Sequence, residues 1–146
     1  MAQRARQSSE YIARRGRSLF KEWSLKIASY AVSFLAAFSF LGAATAKFLS
    51  DPMMKAQFEF FGLPLAFMYV IAVAESVGSV LLFTRYRQAG ALALSVVAVG
   101  AAGEHLTHGQ ASHAPAAPIL AMLAWIGVYL HRASRNSAAE ASSSQR

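Results

Sequence analysis

The chain has 146 residues, 55% of them hydrophobic and only 14% charged, with a net charge of +7. A soluble domain usually carries about 25% charged residues, so this composition points to a single compact membrane domain. The absence of cysteine excludes disulfides, thiolate metal sites and cysteine nucleophiles. The basic residues also argue against nucleic acid, because seven of the fourteen precede Ile27 and the rest flank apolar runs, as suits anionic lipid headgroups.

The first segment, residues 1–26, is a basic arm. Ile12, Leu19, Phe20 and Trp23 fall on one side of a helical wheel, with Arg14, Arg17 and Lys21 on the other. This is the pattern of an amphipathic helix in the headgroup region; a disordered basic arm is the alternative. The Arg- and Ser-containing start also resembles a mitochondrial transit peptide, against which Glu10 and Glu22 count. Residues 27–46 form the first apolar run, 20 residues without a charge. Ala44-Thr45-Ala46 looks like a signal-peptidase site. The run before it, however, exceeds the roughly 7–15 residues of a signal-peptide core, so a span is expected.

Asp51-Pro52 then offers an N-cap followed by a first-turn proline. Met54, Phe58 and Phe61 share a face, and Gly62 and Pro64 end the element, giving a short surface helix on the outer side. The second run, residues 63–83, has 21 residues and one charge, Glu75. Glu75 lies about 18 Å along the run at 1.5 Å per residue, near the middle of a roughly 30 Å hydrocarbon core. The third run, residues 89–103, is short and becomes a span only by continuing through Glu104, His105 and Leu106. The fourth, residues 115–130, borrows flanking residues. The Ser- and Ala-rich stretch 133–146 has no apolar periodicity and is expected to be a disordered tail. The organisation is therefore an arm (1–26), a four-span membrane domain (27–132) and a tail (133–146).

Four spans place twelve Lys and Arg residues on one side and only Lys47 and Lys55 on the other. By the positive-inside rule both termini are cytoplasmic, and a bacterial inner membrane is the expected location. The fold class is thus an all-α integral membrane four-helix bundle, N-in and C-in.

Glu75 shares its helix face with Met68, Ala72, Gly78 and Ser79. These neighbours are mostly small, so the face should pack inside. Intramembrane acids mark functional sites by default, and Glu75 is read as a ligand-binding or proton-carrying acid. The alternative is a neutral acid hydrogen-bonded to Ser39 or Ser95. Lys47 either snorkels to water or turns inward toward an anionic headgroup or Glu104. A Lys47–Glu75 pair is not expected, because Glu75 is placed more than one side chain deeper. Gly42-Ala43-Ala44-Thr45-Ala46-Lys47 and Gly100-Ala101-Ala102-Gly103-Glu104-His105 are matching small-residue steps ending in polar groups, which should converge at the outer mouth. Glu104, His105, His108 and His113 could supply a metal site, but the spacing is not His-Glu-x-x-His and loop imidazoles are the simpler reading. A proton-relay or quinone contact for His105 fits its chemistry better. Trp23, Tyr30, Trp125 and Tyr129 read as interfacial anchors and packing residues. His131 and Arg132, at a helix C-terminus, are assigned no chemistry.

The residues from Gly42 to Lys47, Phe61-Gly62-Leu63-Pro64, Glu75-Ser76-Val77-Gly78 leading to Leu81-Leu82, and His105 resemble the DoxX-like family of small four-helix membrane proteins over roughly residues 31–131. The resemblance implies a four-helix bundle and an accessory role in quinone-linked or redox-stress membrane systems, including thiosulfate:quinone oxidoreductase. It implies no catalytic residue, and distant relatives look like assembly chaperones or cargo receptors. The expected function is a non-catalytic accessory subunit that binds a quinone or lipid-like ligand through Lys47, Glu75, Glu104 and His105. Its expected partners are membrane lipid and other membrane subunits or copies of itself, with no nucleic acid. A structural assembly protein and a small-molecule transporter are the rival readings.

Overall fold

The computed structural model describes residues 2–143, and among them every regular element is an α-helix. The helices are α1 (Ala2–Phe48), α2 (Pro52–Phe60), α3 (Leu65–Leu81), α4 (Arg87–Thr107) and α5 (Ala116–Ser143). α1 packs against α5 and α3, α4 packs against the same two helices, and α2 rests on α3 and α1.

Two boundaries differ from the sequence expectation. The basic arm and the first span are one continuous helix of 47 residues. No proline occurs before Pro52, so nothing in the arm removes a backbone donor or clashes with the preceding turn. The amphipathic face assigned to Ile12, Arg14 and Arg17 lies outside the described side chains. At the other end, the stretch expected to be disordered continues α5 as far as Ser143. Its alanines are the strongest helix formers, and Ser134 is fully buried, so the helix past Leu130 still has a packed face. Residues 144–146 of the expected tail lie outside the described residues.

Leu19–Phe48, Arg87–Thr107 and Ala116–Ala139 are each long and apolar enough to cross a membrane. The third run does continue through Glu104, His105 and Leu106. α3, with 17 residues, is about 26 Å long, short of the hydrocarbon thickness. It meets the length only together with α2, from which it is bent by 115°.

The turns follow from local chemistry. Asp51 caps α2 by accepting a hydrogen bond from the Met53 amide at 2.8 Å, with Pro52 in the first turn, as the Asp-Pro pair predicts. Three helices end in Schellman motifs. After α2, the Leu63 amide donates to Phe58 O and the Gly62 amide to Glu59 O, with Gly62 at φ 68°. After α4, the Gln110 amide donates to His105 O, with Gly109 at φ 75°. After α1 the same pattern uses Ser50 at φ 55°, a rare positive value for a residue other than glycine.

The interior is built from small side chains. Ala36, Ala37, Ala91, Ala98, Ala121 and Ala124 join Phe40, Leu82, Leu94 and Val128 in the core. Large apolar residues face outward: Phe34, Phe38, Val80, Val99 and Met122 are all at least 60% exposed. A soluble protein does not leave so much apolar surface in water. In lipid the outer face needs no polar cover, and small interior residues let helices approach closely. α3 and α4 approach closely, backbone to backbone, at Gly78 and Gly90. A Cβ added to Gly90 would lie 2.6 Å from the Gly78 carbonyl oxygen and 2.9 Å from Leu81 Cβ.

Gly90→Ala is therefore expected to cost about 1–3 kcal/mol by overpacking, seen as a lower unfolding temperature in detergent micelles. Gly42→Ala, where an added Cβ meets nothing within 4 Å, should leave that temperature unchanged or higher. Equal behaviour of the two variants would refute the close α3–α4 packing.

Candidate ligand-binding site

Five residues of α3 are buried, Met68, Ala72, Glu75, Gly78 and Ser79, the same face that the small neighbours of Glu75 predict. Glu75 is 4% exposed and Lys47, in the last turn of α1, is 7% exposed. They are directly paired: Lys47 Nζ donates to Glu75 Oε1 at 2.9 Å and to Oε2 at 2.8 Å. This corrects the expectation that Glu75 lies more than one side chain deeper than Lys47.

The reason is the register of α1 against α3. Ser50 Oγ also lies 2.6 Å from the Tyr69 hydroxyl, so the end of α1 lies against the N-terminal part of α3, and Lys47 reaches inward along its stem to Glu75. Neither Ser39 nor Ser95 bonds Glu75. Ser39 Oγ donates to Leu35 O, and Ser95 Oγ donates to Ala91 O while accepting from Trp125 Nε1 at 2.9 Å. Trp125 thus packs helix against helix. One turn beyond Glu75, Ser79 Oγ is buried without a hydrogen-bond partner.

Lys47 and Glu75 form part of the wall of a cavity of about 750 Å³. α1 contributes Ser39, Phe40 and Ala43, while α3 contributes Phe67, Val70, Ile71 and Ala74. Across from them are Val96, Val97, Gly100 and Ala101 of α4 and Ala117 and Leu120 of α5. α2 adds Met54, Gln57 and Phe58, and Phe61 follows at its C-cap. The shared face of Met54, Phe58 and Phe61 therefore covers a cavity. Glu104 and His105 line the same space, so the polar ends of the two small-residue steps do converge.

His105 is held on both ring nitrogens. Its Nδ1 is 2.8 Å from Gln110 Oε1 and its Nε2 is 3.4 Å from Gln57 Nε2. The amide oxygen can only accept and the amide nitrogen only donate, so this pattern suits the tautomer with the proton on Nδ1. Phe61 meets the imidazole edge-on, with centroids 5.3 Å apart, and His113 stacks at 5.8 Å. Glu104 Oε2 is 3.6 Å from His108 Nδ1, and His108 packs on Phe60 and Phe61. Among the described residues no three His, Asp or Glu side chains converge into a group able to hold a metal ion.

Gln57 and Gln110 are the site residues that the sequence reading passed over. Gln57 had a signal, since it follows Met54 by three positions and precedes Phe61 by four, on the same helical face. Gln110 had none, because only the turn at Gly109 carries it back to His105.

These features describe a helical membrane protein with a charged pair inside its apolar interior, beside a mostly apolar cavity. The chain belongs to the DoxX-like family, whose profile matches residues 31–127. No curated protein and no solved structure matches it.

Breaking a buried pair by removing one partner costs about 3–5 kcal/mol, whereas replacing both by apolar residues is often neutral. Glu75→Leu and Lys47→Met should each lower the unfolding temperature in micelles, and the double variant should be more stable than either. Additive losses in the double variant would mean that the pair does not act as a unit.

Proposed function

We propose that the protein is a small four-span accessory subunit of a quinone-linked membrane system, and that its cavity holds a quinone or a similarly built lipid-like molecule. The four spans are α1, α3, α4 and α5 as one bundle, with α2 folded over the mouth. Both termini face the cytoplasm of a bacterial inner membrane, as the twelve-to-two division of Lys and Arg favours.

The observation that carries the reading is the cavity itself, about 750 Å³ with apolar walls and a Lys47–Glu75 pair. Binding sites for small molecules are of this size and combine apolar walls with a few convergent polar groups. Lys47 offers an ammonium to a carbonyl oxygen, while Glu75 offers acceptors to a hydroxyl. His105, with the proton on Nδ1, presents Nε2 on the side shared with Gln57. Apolar side chains of α3, α4 and α5 accommodate a ring and the first part of a tail. No group is assigned to bond-making, so the role is binding and positioning, in association with membrane lipid and with other subunits or further copies of the chain.

A purely structural reading draws on the same pair, because Lys47 and Glu75 tie α1 to α3. The two readings separate on a variant that keeps the pair and fills the cavity. Ala101→Phe should unfold at a temperature close to wild type. Its affinity for a short-tailed ubiquinone analogue, followed by quenching of tryptophan fluorescence in micelles, should fall at least tenfold. Saturable binding that survives both Ala101→Phe and the Lys47→Met/Glu75→Leu double variant would remove the cavity from the function.

A further inference from the structure

A second polar site lies at the other end of the helices. Ser29 precedes Lys47 by 18 residues on α1, about 27 Å along a helix axis, and it sits beside Arg87 at the start of α4. Arg87 is 93% buried by the complement of its 7% exposure, and no carboxylate pairs with it among the described residues. Its one side-chain hydrogen bond among the described residues is long, from Nη1 to Ser29 Oγ at 3.4 Å. Ser29 Oγ itself donates to Gly127 O at 2.9 Å. The guanidinium carbon stands 5.6 Å from the centroid of the Tyr30 ring.

A guanidinium has five N–H donors, and burying one without acceptors is costly. The neighbouring groups do not supply them. His131 also meets Tyr30 edge-on, with ring centroids 6.5 Å apart, and its Nδ1 is buried without a partner among the described residues. Arg87, Arg135 and Lys26 all act electrostatically on His131, and every one of them is a cation. The carboxylate of Glu22 is already taken by Lys26. Lys26 is thus compensated, while Arg87 and Arg135 have no carboxylate partner among the described residues, which leaves the cluster with unpaired positive charge and few acceptors. Tyr30 is exposed and His131 is partly so, which leaves a way in from the surface of the helices.

We propose that this cluster binds a phosphate group, with Arg87 as its principal ligand and His131 and Ser29 at its edge. A phosphate brings several acceptor oxygens and negative charge to one point and matches the planar fork of arginine. It can belong to the headgroup of an anionic lipid or be a free anion.

The test uses the full chain in zwitterionic micelles, with unfolding temperature as readout and two probes, phosphatidylglycerol and inorganic phosphate. Wild type should be stabilised saturably by at least one probe. Arg87→Gln should lose that stabilisation, with an apparent affinity lower by tenfold or more, and its own unfolding temperature without probe should be no lower than wild type. Arg87→Lys should retain part of the effect. Arg85→Gln, which removes an exposed cation two positions away, should respond like wild type. A response to phosphatidylglycerol alone identifies a lipid headgroup, and an equal response to inorganic phosphate identifies a free anion. The proposal is overturned if neither probe stabilises wild type, or if Arg87→Gln and Arg85→Gln respond alike.

Discussion

The pair of Lys47 and Glu75 is the constraint around which the rest of the chain is arranged. An unpaired carboxylate in the interior of a membrane protein is penalised by roughly 3 kcal/mol or more. The ammonium that offsets it must arrive from another helix at the right height. Lys47 meets that need because it lies in the last turn of α1, where positive charge also suits the negative end of the helix dipole. Both carboxylate oxygens are engaged, at 2.9 and 2.8 Å, so the pair fixes how α1 slides along α3 as well as that they touch. Ser50 and Tyr69 add a second contact between the same two helices, nearer their connection.

That register explains the shape of the connection between α1 and α3. With the end of α1 lying against the N-terminal part of α3, the chain must climb back before α3 begins. It does so through α2, capped by Asp51, stopped by the motif at Gly62 and set at 115° to α3. The apolar face of α2 then has no lipid-facing role and lies over the space between α1, α3, α4 and α5. The cavity follows from two facts: Gly100 and Ala101 leave room where a larger residue would fill it, and α2 covers the opening. The Gly78–Gly90 contact lies on the far side of Glu75 from the cavity mouth, so α3 and α4 are tight at one end and open at the other.

Much of this was legible in the residues themselves. The buried face of α3 follows from the small neighbours of Glu75, and the existence of α2 follows from Asp51-Pro52 and Gly62. The depth of Lys47 was not legible. Counting residues from the end of an apolar run assumes that neighbouring helices begin and end at one plane, and the Schellman turn at Ser50 breaks that assumption. The helical tail was missed for a related reason. Polarity without periodicity reads as disorder, yet alanine propensity and a buried Ser134 are enough to carry α5 onward. In the sequence Arg85 and Arg87 are alike, two of the cations that flank apolar runs. Only the packing around Ser29 and Tyr30 of α1 distinguishes them, holding Arg87 inward and leaving Arg85 exposed.

The two buried cations illustrate different solutions to one problem. Lys47 carries a compact charge on a flexible stem, and it is compensated within the chain by a carboxylate that it can reach by bending. Arg87 carries a rigid fork, and it meets a tyrosine ring, a serine hydroxyl and further positive charge. A lysine at position 87 could withdraw toward water along its stem, whereas a guanidinium held over Tyr30 keeps its donors where they are. The Lys47 end is thus electrically closed and lies beside an apolar cavity suited to a neutral ring. The Arg87 end is electrically open and suited to an anion. A chain with these opposite ends presents a different chemistry at each of them.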